Sequence, residues 1–89
     1  MTLAAYLEKS HDEAPRWPGG RATWKMLRLV LQGVNVASFG GAAREALLNC
    51  YAVLHDLART TSDAELREEA ARYLGEVANT LRTISGKDP

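Results

Sequence analysis

The chain has 89 residues, eleven of them basic and eleven acidic, with 46 % of positions apolar and 25 % charged. That apolar share is too high for a disordered chain, the length allows one thin core, and the balanced charge excludes a protein held to nucleic acid or an anionic membrane by its overall field. A single cysteine, Cys50, excludes an internal disulfide and a zinc site built on thiolates alone.

The opening residues lack the basic start and apolar stretch of a secretory signal. The longest uncharged run, between Arg28 and Arg44, falls short of the ~18 residues a membrane span needs and carries Gln32, Asn35 and glycines. Residence in the cytoplasm is therefore the expectation. Richness in Ala, Arg, Gly and Leu suggests a GC-rich bacterial or phage genome, and with it a small accessory protein.

Helical periodicity predicts four helices, at about 3–12, 21–33, 42–59 and 63–84, within one domain spanning 1–89. In the first, Thr2 is placed to cap, and Leu3, Tyr6, Leu7 and Ser10 share one side. Pro15, Pro18, Gly19 and Gly20 then break the chain in a turn.

The second helix sets Arg21, Lys25, Arg28 and Gln32 in one narrow polar stripe, with Asn35 extending it if the helix continues. Ala22, Trp24, Met26, Leu27, Leu29, Val30, Leu31 and Val34 cover about two-thirds of the girth, far more than the ~100° apolar stripe of a surface helix, so the helix is expected to be wrapped by other protein. A competing reading makes 29–31 and 34–36 strand-like, because β-branched residues are frequent there.

Gly40-Gly41 ends this stretch. The third helix puts Ala42, Ala43, Ala46, Leu47, Cys50, Tyr51, Val53, Leu54, Leu57 and Ala58 on its inner half, leaving Leu48 exposed among polar neighbours. The fourth is expected to open with a capping box, Ser62 capping and Glu65 reaching back. Its inner face holds Leu66, Ala70, Tyr73, Leu74, Val77, Ala78, Leu81 and Ile84, while Glu68, Arg72 and Glu76 form charge pairs outside. It closes at Ser85-Gly86, and Lys87-Asp88-Pro89 should fray. The short connection between the last two helices favours an antiparallel hairpin, so the predicted fold is all-α, a small three- to four-helix bundle.

Catalytic chemistry finds little support. Cys50 and His55, five residues apart on one helix, point about 140° away from each other. Cys50 reads as a small buried hydrophobe, His55 as a solvated surface residue and His11 as a favourable residue near a helix end. Two histidines and one cysteine on different helices do not predict a metal site, and the carboxylates Glu65, Glu68, Glu69 and Glu76 occupy an outer face. No enzyme activity, metal or cofactor is expected. The Gly-Gly pairs lack the Gly-Lys-Ser/Thr of a phosphate loop.

The basic group Arg16, Arg21, Lys25 and Arg28 contains no acid, whereas the fourth helix is biased the other way through Asp63, Glu65, Glu68, Glu69 and Glu76. The leading expectation is a helical module that binds and modulates a protein partner and associates with itself. A symmetric dimer on the second helix would centre on Trp24, Leu27 and Leu31, and Leu48 is a further contact candidate. The alternative is a nucleic-acid or phosphate-ligand binder using the basic residues, with Trp17 as a stacking platform.

Overall fold

The computed structural model describes residues 1–87, with side chains through Ile84, and every regular element among them is helical. In chain order these are α1 (Leu3–Lys9), a 3-10 segment (His11–Arg16), α2 (Arg21–Leu31), a second 3-10 segment (Val36–Ala43), α3 (Arg44–Thr60) and α4 (Ala64–Lys87). The small all-α bundle expected from periodicity is the fold that forms. The strand alternative fails, because 29–31 lies inside α2 and 34–36 leads into a 3-10 turn.

The α3–α4 hairpin is the frame. Only residues 61–63 separate the two helices, which pack against each other more extensively than any other pair. The 24 residues of α4 rise about 36 Å, which accounts for the 42 Å long axis of a molecule only 24 by 20 Å across. Leu47, Cys50, Leu54 and Leu57 of α3 are buried, as are Leu66, Ala70, Val77 and Ile84 of α4. Leu3, Leu7, Met26, Leu27 and Val36 complete the same core. Each of the buried Leu, Ile, Val and Met side chains contributes about 1.5–3 kcal/mol when fully removed from water.

Local chemistry sets the boundaries. In α1 the Thr2 hydroxyl accepts from the Ala5 N–H at 3.1 Å, and the Leu3 N–H donates to Glu69 Oε1 at 2.8 Å, tying the helix start to α4. This helix ends three residues before the predicted limit. The Glu13 and Ala14 amides both close onto the Ser10 carbonyl, at 2.9 and 3.0 Å, in a tighter turn. Pro15, which lacks an N–H and disfavours an α conformation before it, keeps the segment from continuing as an α-helix.

Gly19 turns the chain into α2 with φ of 76°, and a Cβ there would sit 2.5 Å from Asn49 Nδ2 and 2.6 Å from Thr23 Oγ1. Both backbone and space therefore demand glycine. At the other end, Gly33 adopts φ of 78°, and the Gly33 and Val34 amides donate to the Val30 and Leu29 carbonyls, each at 3.1 Å. This reversed cap satisfies two orphan carbonyls and stops α2 at Leu31, two residues before the predicted end.

Several expectations are corrected. α2 is not enclosed: only Thr23, Met26 and Leu27 are buried, Ala22 is exposed, and Leu29, Val30 and Leu31 are half-buried. Thr23, which periodicity left unassigned, belongs to the interior because its hydroxyl donates to the Pro18 carbonyl and so carries no unpaired polar group inward. On α3, Ala42 lies before the helix and is exposed, as is Tyr51, so the buried arc is narrower than periodicity predicts. Asp63, not Ser62, caps α4, its Oδ1 accepting the Leu66 N–H at 3.0 Å. Glu65 does not reach back, and its Oε1 lies 2.7 Å from the Met1 nitrogen. Arg72 lies over the Tyr73 ring at 4.9 Å in place of pairing with Glu68 or Glu76. The backbone of α4 runs to Lys87, past the expected close, while the predicted fraying of Asp88 and Pro89 lies outside the described residues.

Candidate functional site

Trp24 is the pivot of the site. Its indole N–H donates to the Leu7 carbonyl at 2.8 Å, and so satisfies one of the acceptors orphaned where α1 ends. The His11 ring meets the indole edge-on at a centroid separation of 4.9 Å, and the Arg28 guanidinium stands 5.7 Å from its centre. Beside these groups, between α1 and α2, lies an open groove of about 420 Å³. Leu7, Trp24 and Leu31 supply apolar surface, while Glu8, Arg28 and Gln32 form a polar margin. A shallower extension runs along Lys25 and Leu29.

The predicted contact residues separate here. Trp24 and Leu31 both line the groove and are half-buried. Leu27 is completely buried inside the single chain, so the proposed centre of a helix-two dimer loses its middle residue. It points inward because the apolar arc of α2 is wide enough to serve both core and surface. Leu48 is half-exposed on α3, away from these residues. Of the basic set, Arg28 lines the groove, Lys25 flanks it and Arg21 is exposed one turn before Lys25. Arg16 lies elsewhere, in a separate cavity beside Ala52 and Asp56 of α3. Trp17 lines that cavity too, half-buried against the core, and not the groove that Arg28 lines. None of the four basic side chains forms an ion pair among the described residues.

Sequence reasoning missed the other wall of the site. Ala4, Glu8 and His11 come from the α1 side, and their approach to Trp24 depends on how α1 docks. The one available signal was the indole N–H, which needs an acceptor when half-buried.

Elsewhere, ionisable groups are shifted by identifiable causes. Burial pushes the Cys50 thiol up to about 12, and its S–H donates to the Thr23 carbonyl at 3.4 Å. His55 is exposed on the opposite side of α3, stacked on Tyr51 at 6.3 Å. Asp63 is held below the usual carboxylate range, first by the Leu66 N–H and then by the Met1 amino group. That amino group is raised in turn by its hydrogen bonds to Glu65 and Asp63. Among the described residues no three His, Cys, Asp or Glu side chains converge on a point where a metal ion would sit, and no helix is long and apolar enough to cross a membrane. No family model, curated protein or solved structure matches the chain.

Proposed function

We propose that this protein is a non-catalytic binding module whose α1–α2 groove receives a segment of a protein partner. The observation that carries this reading is the arrangement around Trp24, an aromatic surface with apolar neighbours inside a ring of charged and polar groups. Partly buried aromatic anchors with polar rims are where binding energy concentrates at protein interfaces. Lys25 and Arg28, both without a carboxylate partner among the described residues, favour a segment that combines an apolar anchor with an acidic side chain. Modulation of that partner in the cytoplasm of a bacterium or its phage belongs to the same reading, supported by the lone cysteine and the composition.

Selection of random displayed peptides against the protein tests the proposal. The expected result is enrichment of peptides with an apolar residue near an Asp or Glu, whose binding falls at least tenfold in Arg28→Glu with circular dichroism unchanged, and likewise in Trp24→Ala, which also gives up the hydrogen bond to the Leu7 carbonyl. Selected peptides that bind both variants as well as the parent would overturn it. Tight, steeply salt-dependent binding of single-stranded oligonucleotides through Arg21, Lys25 and Arg28, with no peptide enrichment, would replace it with the nucleic-acid reading.

A further inference from the structure

The outer face of α3 is built on a different plan from the groove. Glu45, Leu48, Ala52, His55 and Arg59 are all exposed and follow one another at spacings of three, four, three and four residues. At about 100° per residue they fall within roughly 80° of arc, directly opposite the buried Cys50, Leu54 and Leu57. This is the repeat by which two helices lie along each other. Leu48 is 50 % exposed, and Tyr51, 38 % exposed, stacks on His55 and widens the apolar strip.

The order of residues along this face specifies its occupant. Ala52 stands at the middle, with Glu45 seven residues before it and Arg59 seven residues after, each about 10.5 Å away along the axis. A two-fold axis through Ala52 would therefore place each Glu45 opposite the partner's Arg59, twice over. The small side chain at the crossing lets the backbones approach to the short end of the 8–10 Å range for packed helices. On either side, Leu48 would rest beside the partner's His55. Glu45 enters none of the ion pairs among the described residues, and Arg59 reaches only Asp56, at 3.8 Å with both side chains 71 % exposed. Arg44 and Asp56, also exposed, border the strip on its two edges; along its centre, opposite charges at equal distances from a small residue give the repeat that a two-fold interface requires.

We propose that two copies of this chain associate through α3 in antiparallel orientation, with Ala52 on the symmetry axis. One helix face sits at the low end of interface sizes, among weak and transient encounters, so a concentration-dependent dimer is expected. This inference does not rest on the groove, none of whose residues lies on α3.

A charge-exchange series followed by sedimentation velocity tests it. The parent should pass from monomer to dimer between about 5 and 300 micromolar. Glu45→Arg and Arg59→Glu each set like charges opposite one another twice, and each should weaken self-association at least tenfold, as should Leu48→Asp. Mixing Glu45→Arg with Arg59→Glu restores both opposite-charge pairs in a heterodimer, and the double variant Glu45→Arg/Arg59→Glu restores them in a homodimer. Recovery in both is expected; thermal midpoints measured below the dimerisation range should fall only slightly, because the positions are exposed although both exchanges oppose the α3 dipole. A parent that stays monomeric throughout, single variants that dimerise like the parent, or failure of the mixture to recover would each overturn the proposal.

Discussion

Cys50 offers a chemical clock for the core. The thiol is fully enclosed between α3 and the Thr23 carbonyl, and burial raises it from an ordinary 9.0 to about 12. At pH 8 that shift alone lowers the reactive thiolate fraction about a thousandfold. Enclosure also bars a bulky disulfide reagent, so labelling must wait for the chain to open. With a stability of ~5 kcal/mol, typical of the lower end for small domains, the unfolded state is populated at roughly one part in 5,000. Reaction with an aromatic disulfide reagent, followed by absorbance, should therefore run about 10³–10⁴-fold slower in native protein than in denaturant, and should accelerate as denaturant approaches the unfolding midpoint. A native rate within tenfold of the denatured one would refute the burial argument. The same shift predicts alkaline sensitivity. A folded-state pKa above the unfolded one means that stability is complete below about pH 9 and is lost as pH rises towards 12, by up to roughly 4 kcal/mol, and Cys50→Ala should remove that part of the slope.

Gly19→Ala should destabilise by several kcal/mol, because it forces a positive φ on alanine and drives a Cβ against Asn49 and Thr23, whereas Gly41→Ala, facing open space without a positive φ, should be close to neutral in the same urea titration. Leu54→Ala should cost about 2–5 kcal/mol and the half-buried Leu74→Ala clearly less; equal losses would show that α4 is packed differently around Leu74. Asp63, with its pKa lowered in the fold, supports stability above the ordinary carboxylate range and loses that support as pH falls through its depressed value. Asp63→Asn keeps a capping oxygen but cannot titrate, so its thermal midpoint should vary less between pH 5 and pH 3 than that of the parent; an identical acid profile would count against the cap.

Periodicity was sufficient for the α3–α4 hairpin because its helices are long and each has a single inner arc, so the pattern of Leu47, Cys50, Leu54 and Leu57 could be read in only one way. It misjudged α2, where apolar residues surround most of the girth and cannot reveal which of them face the core. Leu27 and Leu31 differ in fate because α3 covers one side and α1 only partly covers the other. The boundary errors trace to hydrogen bonds that hydrophobicity does not encode, namely the reversed cap at Gly33 and the choice of Asp63 over Ser62. The groove was half legible: Trp24, Arg28 and Leu31 carried a signal in their sequence pattern, while His11 and Glu8 are brought there by a short helix whose docking depends on one indole, one carboxylate and a few buried leucines.

That short helix makes the groove a composite surface. α1 has seven residues, too few to be helical by itself, and it is fastened to α4 through the Leu3 N–H and Glu69, neither of which lines the groove. Whenever α1 lifts away, Trp24 loses the Leu7 carbonyl and the cleft loses its Glu8 and His11 wall. A ligand of the groove then binds only the docked fraction of molecules, and its apparent affinity is scaled by that fraction: docking one-tenth of the time would weaken binding about tenfold without altering a single contact. Glu69, which touches nothing in the cleft, thereby acts on occupancy through the population of the state in which the cleft exists.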